Sequence, residues 1–174
     1  FAIPALARES NSVNEIKRHQ HFTVVIGNPP YSNFGSLNNS QYILSMLEDY
    51  KVGLNERKIN LNDDYIKFIR YGQSILESSG YGVLAYLSNS SYLDGVTHRR
   101  MREAMMHSFS SISLLNLHGN VRRKETSPNN MSNENVFDIQ QGVAITVCVR
   151  NSFVNEKRNP QYIDLWGTRK EKHL

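Results

Sequence analysis

The stretch TVVIGNPPY, Thr23 to Tyr31, constrains this chain more than any other. Val24, Val25 and Ile26 form an apolar run without polar alternation, which predicts a short strand buried on both faces of a parallel sheet. The run ends at Gly27 and gives way to Asn28, Pro29, Pro30 and Tyr31. Two successive prolines lack backbone donors and hold φ near one value, so the strand stops there and a stiff loop follows. In open α/β sheets, the space just beyond the carboxyl ends of the strands is where ligands bind.

Downstream, the pattern alternates strand and helix. The polar segment Ser32 to Asn62 reads as a long loop with one helix around Gln41 to Tyr50. Asp63 as N-cap, apolar Tyr65, Phe68, Ile69, Ile75 and Leu76, and Gly80 as a stop predict an amphipathic helix. A second strand is expected over Val83 to Leu87, closing in the polar turn SNSSYLDG. HRRMREAMMHSF predicts a helix with Met101, Ala104 and Met105 on its inner face. SISLLNLHG and QQGVAITVCVR predict further strands, PQYIDLW is compatible with a fifth, and a polar linker, RRKETSPNNMSNENVF, precedes the last pair.

Composition narrows the class. A chain of 174 residues, 39% hydrophobic and 21% charged, can build one globular domain with a real core, and no stretch approaches the length of a membrane span. Cys148 is the only cysteine, which excludes an internal disulfide and points to a reducing cytoplasm. The six histidines are scattered and lack zinc-site spacing, so no metal is expected. A formal charge of +4 permits a polyanionic partner, and basic residues cluster in HRRMR, RRK and RKEK, although solvated surface charge explains each cluster equally well. The beginning, FAIPALARES, has neither an initiator methionine nor a signal-peptide pattern and reads as a cut through a longer polypeptide.

The loop chemistry suits one difficult substrate. An exocyclic amine such as N6 of adenine delocalises its lone pair into the ring and is a poor nucleophile. The Asn28 side-chain carbonyl and the Pro29 backbone carbonyl could each accept one amino hydrogen, favouring a pyramidal nitrogen. The prolines preorganise that carbonyl, and Tyr31 offers a ring on which an extruded base can stack. Asn-Pro is also an ordinary turn starter, but this tetrapeptide should arise by chance in such a chain only about once in a thousand.

VVIGNPPY resembles motif IV of the gamma-class, N6-adenine amino-methyltransferases. From about Phe22 onward, YIKFIRYGQSILESSGYGVLAYLSNSSYLDG, ISLLNLHGN, VFDIQQGVAITVCV and YIDLWGTRKEKHL are similar in order and character to the methylase region of large single-polypeptide restriction-modification enzymes. The resemblance implies an α/β fold, the C-terminal, target-base half of a doubly wound Rossmann-like methyltransferase sheet. It divides the chain into a lead-in from an upstream cofactor-binding half (1–21), the catalytic half with the loop (22–150), and an extension toward a target-recognition region (151–174). Asn28, Pro29, Pro30 and Tyr31 carry over as the catalytic loop, with Phe137, Ser88 and Asn89 as substrate contacts; Phe137 could equally be core and the Ser-Asn-Ser turn a capped turn.

The methyl donor implied is S-adenosyl-L-methionine, and the partners are duplex DNA with a flipped adenine and the helicase, nuclease and recognition parts of the same polypeptide. No Gly-rich cofactor turn precedes Gly27, so the cofactor site is expected upstream of this stretch, and the chain alone is expected to be inactive. Glutamine methyltransferases share the motif, because a carboxamide nitrogen poses the same lone-pair problem; the long polar insertions weigh against them. A non-catalytic DNA-binding module is the other alternative, and the intact Asn28 and Tyr31 weigh against it.

Overall fold

A computed structural model of the chain describes residues 3–31, 39–56, 61–123, 125–128, 131–154 and 158–173. The elements are α1 (Ile3–His19), β1 (Val24–Gly27), α2 (Gln41–Met46), α3 (Glu48–Lys51), α4 (Asp64–Ser79), β2 (Tyr81–Asn89), α5 (Arg99–Ser108), β3 (Ser111–His118), β4 (Val143–Asn151), β5 (Gln161–Asp164) and α6 (Arg169–Lys172). The strands form one sheet in the order β1-β2-β4-β3-β5. β1 runs parallel to β2 and β3 parallel to β5, while β4 is antiparallel to both its neighbours. Four strands therefore point the same way, and the loops after β1, β2, β3 and β5 emerge at one end of the sheet. The expected α/β architecture is present.

Helix α4 forms where its signals place it. Asp63 occupies the N-cap position, and Gly80, at φ 79°, takes the left-handed conformation that ends the helix and donates its N–H to the Leu76 carbonyl. Its buried face is Tyr65, Ile66, Ile69 and Leu76. Two expected core positions differ: Phe68 is exposed and Ile75 only half-buried. Gly72 lets α4 seat closely on β2, since a Cβ there would meet Leu84 Cδ1 at 2.5 Å. Phe68, one turn earlier, lines an open cavity with Tyr42, Ile43 and Tyr71.

The covered face of the sheet contributes Leu84, Tyr86, Ile112 and Cys148, packed beneath α4, α5 and the Leu47–Tyr50 region. Met101 and Met105 of α5 fill this core as expected, with Ala104 partly buried beside them. Burial pushes the Cys148 thiol up to about 12, so it remains a packed apolar group. Some polar groups at this depth pair with one another: the Tyr92 hydroxyl meets Thr146, and the Tyr65 hydroxyl lies 3.3 Å from His98 Nε2. Arg70 bonds Asp49 at 2.6 Å, Glu77 at 3.0 Å and the Met46 carbonyl at 3.0 Å, tying α4 to α2 and α3. Burial alone would raise the Glu77 carboxyl, but bonds from Ser108, Gln73 and Arg70 outweigh it and hold it below the usual value.

Two expectations, for β1 and for the helix over Gln41 to Tyr50, need correction. β1 is not buried on both faces: Val24 is 63% and Ile26 79% exposed, because β1 pairs with β2 alone among the described residues and only Val25 packs against the core. The lead-in contains a helix, α1, and its described side chains, residues 8–16, are exposed. The helix expected over Gln41 to Tyr50 is two short ones, α2 and α3, broken at Leu47, whose side chain is fully buried. Residues 32–38 and 57–60 of the same expected loop lie outside the described residues. No helix among those described is long and apolar enough to cross a membrane.

Candidate active site

The loop after β1 stands at the common carboxyl end of the parallel strands. Gly27 leaves room for the Tyr86 ring beside the loop, since a Cβ there would lie 2.7 Å from it. Pro29 is buried and Asn28 and Pro30 are exposed, so the asparagine amide faces outward from a pinned proline. The Tyr31 hydroxyl donates to Asn28 Oδ1 at 2.6 Å. A carboxamide oxygen has two lone pairs, which leaves Asn28 one acceptor site after Tyr31 has fixed its orientation. Burial pushes the Tyr31 phenol up to about 12 against the lowering effect of the Asn28 bond, so the hydroxyl keeps its proton, and its donor role, at neutral pH.

Phe137 comes to this loop from the segment before β4. Its ring centroid lies 5.8 Å from that of Tyr31 at an interplanar angle of 52°, a direct tilted contact with no slot open between the rings. Both rings belong to a small apolar cluster around Leu117, Val136 and Val143. A cavity of about 880 Å³ opens on the same end of the sheet, lined by Phe137, Asn120, Gln140, Glu125, Asp138 and Arg169 among others. The structure thus brings Asn28, Tyr31 and Phe137 together.

Ser88 and Asn89 have other surroundings. Ser88 is entirely buried on β2, where it faces the polar pair of Tyr92 and Thr146 instead of the loop surface. Asn89 is 5% exposed and has both ends of its amide engaged. Its Nδ2 donates to the Tyr31 carbonyl at 2.8 Å, and its Oδ1 accepts from the Ser91 N–H at 2.8 Å. Ser90 is likewise buried and donates its N–H to the Gly142 carbonyl.

Sequence reasoning missed Asn135. This buried residue donates to the Gly119 and Gln141 carbonyls, at 2.9 and 2.6 Å, and accepts the Phe137 N–H at 2.9 Å, which sets the backbone carrying the aromatic ring. The available signal was an asparagine two residues before the candidate, the spacing of an Asx turn. Among the described residues of the linker around it, Ser127, Asn135 and Val136 are buried.

The basic clusters are largely absorbed by the fold. Arg99 pairs with Glu56 and Arg100 with Glu103, while Arg102 donates to the Tyr92 and Gly95 carbonyls. At the loop end, Arg123 pairs with Asp94, Arg122 bonds Gln140, and Arg169 reaches Asp138 and the Asn135 carbonyl. Those three arginines rim the end of the sheet that carries the Asn28 loop.

The fold resembles part of solved DNA restriction-modification enzymes. The ATP-dependent Type ISP restriction-modification enzyme LlaBIII bound to DNA matches 93% of this chain with 26% identity and a TM-score of 0.79. The DrdV-DNA complex matches 92% with 27% identity and a TM-score of 0.73. A nuclease-deletion mutant of the Type ISP enzyme LlaGI, in complex with a DNA substrate mimic, matches 94% with 24% identity and a TM-score of 0.75, a likeness of fold. The chain spans only 11%, 16% and 17% of those proteins. A search of curated proteins returns no match. The family described as Eco57I restriction-modification methylase matches residues 5–122, more than half of the sequence, and the chain belongs to it.

Proposed function

We propose that this chain is the base-holding half of a DNA adenine methyltransferase within a restriction-modification polypeptide, acting on N6 of an adenine turned out of its duplex. The observation that carries the reading is the exposed Asn28 amide, held by the Tyr31 hydroxyl at the carboxyl end of β1, in a chain of the restriction-modification methylase family. Asn28 Oδ1 accepts one amino hydrogen and the Pro29 carbonyl the other, which localises the nitrogen lone pair and makes the amine a nucleophile. Tyr31, backed by Phe137, supplies the stacking face. Family membership supports DNA over a protein glutamine as the acceptor.

The methyl donor of such an enzyme is S-adenosyl-L-methionine, and the described residues do not fit it. The four parallel strands lead into Asn-Pro-Pro-Tyr, Ser-Ser-Tyr, Gly-Asn-Val and Leu-Trp-Gly, none of which is a glycine-rich turn. We assign the donor to another part of the polypeptide, together with the target-recognition, helicase and nuclease functions.

Tyr31 tests the reading because its two groups have separate jobs. In the complete polypeptide, Tyr31→Ala should weaken binding of duplex with 2-aminopurine at the target position by about 5- to 100-fold and dim the fluorescence change of extrusion, since base stacking is worth roughly 1–3 kcal/mol. Tyr31→Phe should bind normally yet methylate more slowly, having lost the bond that orients Asn28. Equal behaviour of the two variants in the fluorescence assay would rule out stacking.

A further inference from the structure

We propose that Asn89 is the positioning residue of the Asn-Pro-Pro-Tyr loop, holding it in register with the end of β2 without touching the base. The inference rests on the function proposed above and adds a residue to its machinery. Asn89 is the last residue of β2, paired with Val143 of β4, so its Cα is fixed by the sheet. Only one orientation of its amide satisfies both neighbours: the Tyr31 carbonyl requires a donor, and the Ser91 N–H requires an acceptor. The corner around it is stiff. The Ser90 N–H donates to the Gly142 carbonyl at 2.9 Å, and a Cβ on Gly142 would lie 2.5 Å from Ser90 Oγ.

On the other side, Tyr31 is bound at both ends. Its carbonyl is held by Asn89, and its hydroxyl holds Asn28 Oδ1. Three residues therefore form a chain of hydrogen bonds from the sheet to the exposed acceptor. The side chain links positions 58 apart in sequence and crosses from β2 to the loop of the adjacent strand. Among the described residues, no other hydrogen bond ties Tyr31 to β2, so without it the hydroxyl that orients the Asn28 amide loses its anchor to the sheet. A displacement near 1 Å at a reacting centre costs about 10²-fold in rate.

Asn89→Asp separates the two bonds. The carboxylate still accepts from Ser91 N–H and keeps the turn, but it presents an acceptor to the Tyr31 carbonyl and breaks the tether. Asn89→Ser also retains a turn-capping oxygen while being too short to reach Tyr31. In the complete polypeptide, both variants should lower kcat for DNA methylation by about 10- to 100-fold. Asn89→Ser, which places no charge at this buried site, should keep its melting temperature within a few degrees of wild type and its S-adenosylmethionine affinity and KM for DNA within twofold; Asn89→Asp should also lower the melting temperature through its buried charge. Asn89→Gln, with the same groups on a longer arm, should recover part of the lost kcat.

If either variant methylates within twofold of wild type, the tether does not position the loop and the proposal fails. If kcat of Asn89→Ser falls only together with melting temperature or cofactor affinity, Asn89 is a structural residue, and the proposal fails as well. Asn28→Ala run alongside separates this from the functional reading. Loss of activity there, with Asn89→Asp fully active, removes Asn89 alone; full activity in both removes the function proposed for the loop.

Discussion

Replacing Asn28 with alanine is expected to reduce DNA methylation by the complete polypeptide by about 10²-fold or more, the effect of removing one preorganised acceptor from a reacting group. The substitution is clean. Asn28 is exposed and its single hydrogen bond among the described residues is to the Tyr31 hydroxyl, which can turn to water when the amide is gone. Melting temperature and cofactor affinity should therefore hold, and the loss should appear in kcat. Asn28→Asp offers an oxygen acceptor with a full charge, and should retain more activity than alanine. Methylation by Asn28→Ala within tenfold of wild type would remove the acceptor role.

The second large effect lies in the fold that places this loop. Gly82, early in β2, sits at φ 143°, and a Cβ there would lie 2.3 Å from the Thr23 carbonyl oxygen and 2.8 Å from Leu76 Cδ2. That oxygen accepts the Val83 N–H at 2.8 Å and starts the pairing of β1 with β2. Gly82→Ala must either push the two strands apart or displace α4. Backbone strain and overpacking together should destabilise the chain by about 3 kcal/mol or more, lowering the melting temperature by roughly 6–12 °C. Gly80→Ala is the comparison: its φ is also positive, at 79°, but a Cβ there meets only Ser152 Oγ at 3.1 Å, and the cost should be near 1 kcal/mol. Thermal or urea denaturation of the two variants checks the order. A Gly82→Ala chain no less stable than Gly80→Ala would show that the strands accommodate the methyl group.

These two positions mark how far the sequence can be read. The end of β1 was legible because its signals are local: an apolar run, then two prolines without donors. Helix α4 was legible for the same reason, with Asp63 before it and Gly80 after it, while the exposure of Phe68 depends on what packs around that part of the helix, which is a tertiary fact. The exposure of Val24 and Ile26 depends on which strand neighbours β1 and which face carries helices, and an apolar run does not encode that. The reversed direction of β4 is equally silent, since GVAITVCV reads the same as a parallel or antiparallel strand.

The site divides the same way. Asn28, Tyr31 and Phe137 could be named from the loop chemistry and from resemblance, and the structure sets them side by side. Their supports were harder to read: Asn89 was named, but as a substrate contact or turn cap, and Asn135 was missed. Both direct amide groups at backbone carbonyls, and asparagine in a polar turn looks alike whether it caps, tethers or merely faces solvent. Ser88, which shares the turn with Asn89, points into the core.

The most direct measurement is the identity of the methylated nucleoside. The complete polypeptide is incubated with duplex DNA and S-adenosylmethionine carrying a labelled methyl group, and the DNA is digested to nucleosides and resolved by mass spectrometry. The account predicts label in N6-methyladenine, lost in the Asn28→Ala variant. Label in a methylated cytosine, label in protein, or N6-methyladenine undiminished by Asn28→Ala would contradict it.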